Sequence, residues 1–233
     1  MKYLSPFFFF FLIQSTQAQW SFKIAYDDTY FKPSKINAIL EDYNKNNVNA
    51  NTNFKPLVHL TGIEMGVRFR QDFISLEGGW TTHFTTKSQY NWTDASRNTR
   101  QRQSISLNKQ TFNGGLTLHL GTFGIGASYD YNYFNMGKKF IGQARRAYIS
   151  DKSFEYNSVT LFMQYEAKMT RVMHFAIRPY VQIPLKNATY STLTFRDAVN
   201  PKSDLTFTDG FGQDLNFVGI KFIFFNGKQH NDN

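Results

Sequence analysis

Apolar and polar residues alternate with a period of two along most of the chain after residue 18. That period marks strands whose two faces meet different surroundings. The clearest run is Val172 to Lys186. Met173, Phe175, Ile177, Val181, Ile183 and Leu185 fall on one face, and His174, Arg178, Tyr180, Gln182 and Lys186 on the other. In Phe73 to Phe84, Ile74, Leu76, Trp80 and Phe84 alternate with Ser75, Glu77, Thr81 and His83. In Phe123 to Phe134, Phe123, Ile125, Ala127, Tyr129, Tyr131 and Tyr133 alternate with Gly124, Gly126, Ser128, Asp130 and Asn132. Five more stretches carry the pattern less cleanly: Trp20 to Tyr30, Leu57 to Arg70, Ile105 to Leu120, Phe154 to Met169 and Gly212 to Phe225. Eight antiparallel strands are therefore expected, an even number that can close into a barrel.

The connections sort by length. Three are tight, at Gln71-Asp72, Gly121-Thr122 and Thr170-Arg171. Four are long and polar, over 31–56, 87–104, 135–153 and 187–211. Short turns at one end and long loops at the other are the arrangement of a membrane barrel. Within the first long loop, Ile36, Ile39, Leu40 and Tyr43 follow Pro33 with helical spacing, which predicts a short amphipathic helix over 34–45. Its expected role is to pack over the barrel rim, with docking of a partner as the alternative. Pro179 and Pro184 fall inside the seventh strand, where a missing N–H predicts a bulge or bend.

One strand face holds nearly all of the strand charge. Eight strands enclose room for side chains or one small ligand, too little for Phe, Tyr, Ile and Trp from every strand. The apolar face is therefore expected outside, against lipid, and the polar face inside. The predicted lumen contains Lys23, Glu64, Arg68, Glu77, Lys109, Asp130, Glu166, Lys168, Arg178 and Lys221. Unpaired buried charge is costly, so these residues should form an ionic and hydrogen-bonded lattice. The expected result is an occluded lumen; a narrow ion path is the alternative.

Composition supports export. Aromatics make up 18% of the residues, with 25 Phe and 13 Tyr, a load suited to aromatic girdles at a membrane surface. The absence of cysteine excludes a disulfide scaffold and thiolate metal sites. Lys2, the apolar run Tyr3 to Ile13 and the polar stretch Gln14 to Ala18 form a signal-peptide pattern, with cleavage expected after Ala18. The expected organisation is a cleaved signal over 1–18, a barrel over 19–225 and a polar tail over 226–233. Removal of Lys2 takes the formal charge from +9 to +8. That basic balance suits anionic partners, and export argues against nucleic acid. Arg97, Arg100 and Arg102 lie in the second long loop, and Lys138, Lys139, Arg145 and Arg146 in or near the third. If those loops face outward, these cations meet the phosphates of lipopolysaccharide.

Signals for chemistry are weak. His59, His83, His119, His174 and His230 show no metal-ligand spacing, so no metal or other cofactor is expected. Ser75, Glu77 and His83 share a strand face, but Glu77 and His83 stand roughly 20 Å apart at about 3.3 Å per residue. That separation argues against a catalytic dyad. There is no phosphate-binding loop, and Gly124-x-Gly126 lies in a strand. A non-enzymatic barrel is expected.

The last strand reads Asn216-Phe-Val-Gly-Ile-Lys-Phe-Ile-Phe-Phe225. A glycine, alternating apolar residues and a terminal aromatic make it similar to the C-terminal β-signal of outer-membrane barrels. With the signal peptide and strand layout, the whole mature chain resembles the OmpA/OmpX-like, porin-family barrels of Gram-negative bacteria, especially those of the Bacteroidetes type. One departure is the tail from Asn226 to Asn233, which follows the aromatic that ends the chain in the family's plainest form. The resemblance implies outer-membrane residence, contact with outer-membrane lipid and lipopolysaccharide, and insertion by the outer-membrane assembly machinery. It implies a structural or surface-interaction role through the loops. The alternatives are an accessory subunit of a secretion, assembly or uptake complex, an envelope-lipid-modifying enzyme, or a narrow channel.

Overall fold

The computed structural model describes residues 19–46, 50–84, 87–94, 99–140, 147–148, 154–170, 172–186, 188–190, 193–196, 204–207, 211–213 and 215–226. The expected signal peptide, most of the polar tail and parts of the long loops lie outside these residues. Eight strands form the barrel: β1 (Gln19–Phe31), β2 (His59–Gln71), β3 (Ile74–Phe84), β4 (Thr99–Leu120), β5 (Phe123–Phe140), β6 (Phe154–Lys168), β7 (Met173–Pro184) and β8 (Phe217–Asn226). Each pairs antiparallel with its sequence neighbours, and β8 pairs with β1 to close the sheet.

The tight turns are where residue chemistry allows them. Asp72 adopts φ 44 and Gly121 φ 67, the left-handed region that Asp tolerates and Gly favours. The third turn is closed by the amides of Met169 and Thr170, which donate to the carbonyl of Met173 at 3.0 and 3.1 Å.

The register fixes the barrel's shape. Direct cross-strand partners run from Gln19 to Arg70, Ser75, Thr117, Gly126, Phe162, Tyr180, Gly219 and back to Thr29. One circuit thus advances ten residues along β1. With about 3.3 Å per residue and about 4.8 Å between strands, that stagger tilts the strands by roughly 40° and gives a radius of about 8 Å. Side chains alone can fill such a space. Even so, some inward positions have no room for a Cβ: on Gly126 it would lie 2.4 Å from the Phe162 ring and 2.5 Å from the Leu116 carbonyl oxygen.

Pro179 does not cause a bulge. The β7–β8 register runs unbroken through Pro179↔Ile220, and the β6–β7 register is the same on both sides of the proline. Only the β6 ladder is interrupted, between Ile177↔Tyr165 and Tyr180↔Phe162, so the lost N–H bond is absorbed without a slip. Pro184 is the last residue of its strand, where no bend is needed.

Two stretches expected as loop are strand. Lys87–Asp94 pairs with the first half of β4, and β5 runs on to Phe140. Ala50–Thr52 and Ala147–Tyr148 add to the two edges of this extension. Polar residues on both faces hide these strands from an alternation test. The last strand starts at Phe217 rather than Gly212, because Phe211–Gln213 pairs instead with Ala188–Tyr190. A second short hairpin joins Leu193–Arg196 to Asp204–Phe207.

Helix α1 (Ser34–Asn46) matches the expected helix and lies in the barrel mouth. Ile36, Ile39, Leu40 and Tyr43 are buried, while Lys35, Ala38, Glu41, Asp42 and Lys45 are exposed. The buried stripe packs with Phe31, Leu57, Leu60, Leu107, Phe134, Tyr156, Leu215 and Phe217. Full burial of such side chains is worth roughly 2 kcal/mol each. Two asparagines tie the helix to the segment returning to β2. Asn37 donates to the Leu57 carbonyl at 3.1 Å and accepts from its amide at 2.8 Å; Asn44 does the same with Phe54, at 2.9 Å each way.

Candidate functional site

The inward face changes character along the barrel. Near the long-loop end it is apolar, formed by Phe31, Leu60, Leu107, Phe134 and Phe217 under α1. Below that plug the same strand faces turn polar. Among the described residues, five carboxylates (Asp27, Glu64, Glu77, Asp130, Glu166) face six cations (Lys23, Arg68, Arg70, Lys109, Arg178, Lys221) in the interior, Arg70 near its short-turn end. Nearly matched numbers allow mutual compensation, which burial of charge requires.

The ion pairs, linked through Gln164, form a chain across the lumen. Arg68 clasps Glu166 with Nη1 at 2.8 Å and Nη2 at 3.2 Å, and its guanidinium lies 3.5 Å above the ring of Phe225. Arg178 donates to both oxygens of Glu77, and Lys23 bridges Glu77 at 3.0 Å to Glu64 at 2.6 Å. Glu64 in turn accepts from Lys221 at 2.6 Å, and Lys221 stands 3.7 Å from Asp27. Asp27 also accepts from Tyr180 at 2.8 Å and Thr29 at 2.9 Å, and it bonds His83 Nε2 at 3.1 Å. Higher in the lumen, Asp130 accepts from Ser128, Thr160 and Gln182.

Nine of the ten residues expected in the lumen are brought together this way. Lys168 stands apart from them: it ends β6 at the short-turn rim, where it is exposed. Sequence reading missed Asp27. Its signal was parity, since it lies four residues from inward-facing Lys23 and so shares its face.

Of the loop cations, Arg102 is exposed on β4. Arg100 lies in β4 and Lys138 and Lys139 in β5; Arg97, Arg145 and Arg146 lie outside the described residues. Among the described residues no group of three potential metal ligands converges. Ser75, Glu77 and His83 do not meet. Ser75 instead bonds His119 Nε2 at 2.9 Å, but both are buried and no carboxylate bonds that imidazole among the described residues. His174 is buried with neither ring nitrogen hydrogen-bonded.

The exterior is the apolar counterpart. Phe22, Ile24, Met65, Val67, Leu76, Phe112, Leu116, Ile125, Leu161, Met163, Val181 and Phe224 are all exposed. Trp20, Phe73 and Phe123 lie at the short-turn edge, and Tyr26, Tyr30, Tyr129 and Tyr131 toward the loops. From Trp20 to Tyr30 the barrel rises about 25 Å at the tilt set by its stagger. At the upper edge, outward-facing Asp28 pairs with His59, whose ring lies against Tyr30 at 4.9 Å.

This architecture is that of a closed eight-stranded antiparallel β-barrel with a plugged mouth. No protein-family model matches the chain, and no curated protein matches it. Among solved structures it is similar to Ail, the attachment invasion locus protein of Yersinia pestis (TM-score 0.45, 7% identity, 90% of this chain and 98% of that one). It is similar to Neisserial surface protein A (TM-score 0.44, 5% identity, 91% and 97%). It is also similar to the outer membrane protease OmpT from Escherichia coli (TM-score 0.36, 8% identity, 90% and 94%). At these values the likenesses assign no activity, and the fold rests on the strand pairing itself.

Proposed function

We propose that the chain is an outer-membrane β-barrel, exported by residues 1–18, that acts through its loops and not through its lumen. The observation that carries this reading is the inversion of polarity: an apolar exterior about 25 Å tall surrounds a lumen of paired charges. That height equals the apolar band of such barrels. In water, the exposed Phe, Tyr, Leu, Ile and Met would form a patch far beyond what a soluble monomer carries. The β8 stretch that resembles a β-signal supports the same placement.

A plugged lumen moves function outward. β4 continues about ten residues beyond Lys109, which lifts the sheet of Lys87–Asp94, β4 and β5 roughly 25 Å past the barrel. Surface interaction is the role this projection suits. Its cations, Arg102 among them, suit phosphates of lipopolysaccharide. The accessory-subunit reading has one observation in its favour: the short strands Ala50–Thr52 and Ala147–Tyr148 leave sheet edges that a partner strand can extend.

Surface proteolysis of intact cells tests the proposal. Cleavage within residues 95–98, with the barrel protected and recovered in the outer-membrane fraction, is expected. A soluble periplasmic protein, or cleavage only after envelope rupture, would overturn it. Recovery of a stoichiometric partner in mild detergent would favour the accessory-subunit reading.

A further inference from the structure

Between the ion-pair chain and the apolar plug lies a cavity of about 10 Å³, bordered by Thr81, His83, Lys109, Asp130, Tyr180 and Lys221 among others. Three neighbouring groups lack the partners their chemistry demands. The Thr81 hydroxyl and His83 Nδ1 are buried with no hydrogen bond. Lys109 is buried, and no carboxylate lies within ion-pair distance among the described residues. Its ammonium meets only the Gln182 side-chain oxygen and the face of Phe217, 3.9 Å from the ring centre, which leaves N–H donors unused. Leaving such groups unmet is costly, and among the described residues no side chain bonds the Thr81 hydroxyl or His83 Nδ1.

We infer that this cavity is a binding site for one internal water molecule. The volume matches about one water-sized sphere. A cation is disfavoured because the unmet groups include the Lys109 ammonium, while Asp27 and Asp130 are already engaged by hydroxyls, amides and Lys221. An anion is disfavoured by those same two carboxylates at the cavity wall. Water fits each demand at once: its oxygen accepts from Lys109, and its hydrogens reach His83 Nδ1 and Thr81. Three partners is the usual number for a buried water. The site also fixes the tautomer of His83, with Nε2–H donating to Asp27 and Nδ1 accepting from the water. The water would then couple Lys109, directly below the plug, to the ion-pair chain that starts at Asp27.

High-resolution crystal structures of the full-length mature barrel, native and soaked in sodium bromide, test the site. A single non-anomalous peak within hydrogen-bond distance of Lys109 Nζ, Thr81 Oγ1 and His83 Nδ1 is expected in both. Thr81→Val, which keeps the side chain's shape, should lose the peak or lower its occupancy several-fold while the barrel still closes. An empty cavity in the native protein overturns the inference. So does a bromide anomalous peak there, which would make it an anion site, or a Lys109 side chain turned to a carboxylate.

Discussion

The Nη2 of Arg178 lies 2.7 Å from one oxygen of Glu77 and 2.9 Å from the other, joining β7 to β3 through the middle of the lumen. The two residues are far apart in sequence and on strands at opposite sides of the barrel. Lys23 holds the same carboxylate from β1. A single glutamate thus ties three strands and compensates two cations.

Glu77→Ala removes that shared acceptor and leaves Lys23 and Arg178 partly uncompensated. Breaking a buried pair in this way costs about 3–5 kcal/mol. Urea titration of the barrel in lipid, followed by its gel mobility, should show that loss. Replacing Glu77 and Arg178 together with Leu and Met should cost less, because the guanidinium leaves with its acceptor and Lys23 keeps Glu64. Equal losses in the two variants would count against the lattice.

Met163 is 64% exposed on β6 near mid-height of the apolar band. In lipid, Met163→Arg should destabilise by about 2–4 kcal/mol. On a water-facing surface the same change stays within about 0.5 kcal/mol. Unfolding in vesicles distinguishes the two.

Gly126→Ala places a methyl group 2.4 Å from the ring of Phe162 and 2.5 Å from a backbone oxygen. Overpacking of this kind costs about 1–3 kcal/mol. Adding Phe162→Leu should recover part of the loss, since the ring can be removed and the backbone oxygen cannot. Additive losses in a double-mutant cycle would contradict the contact.

Replacing α1, residues 34–46, by a Gly/Ser linker removes the plug but leaves the ion pairs below it. Planar-bilayer recording should therefore show no steady conductance from either protein. Steady current through the native barrel would contradict an occluded lumen.

Much of this fold is legible in the sequence because an apolar exterior and an ionic interior enforce a period of two, as in Met173 to Ile183. The helix at 34–46 is legible for the same kind of reason, a one-sided apolar stripe. The plug is not. Leu60, Leu107, Phe134 and Phe217 share the inward register of Glu64, Lys109, Asp130 and Lys221, so an apolar residue there looks like a break in the pattern. Only the arrival of α1 over the mouth gives it a reason. The extension formed by Lys87–Asp94 and Thr99–Gln103 is hidden too, since polar residues fall on both of its faces. Which lumen charges pair was equally hidden, because those contacts depend on the barrel's stagger, a property of all eight strands at once.

The polarity inversion is the centre of the account, and a chain without cysteine permits a clean test of it. Single cysteines at Val159, Leu161, Met163 and Tyr165 can carry spin labels along the outer face of β6 in reconstituted vesicles. Relaxation by dissolved oxygen should peak at Leu161 and Met163, with little effect there from a water-soluble nickel chelate. Strong relaxation by the nickel chelate at those two positions would mean that this face meets water, and would contradict the account.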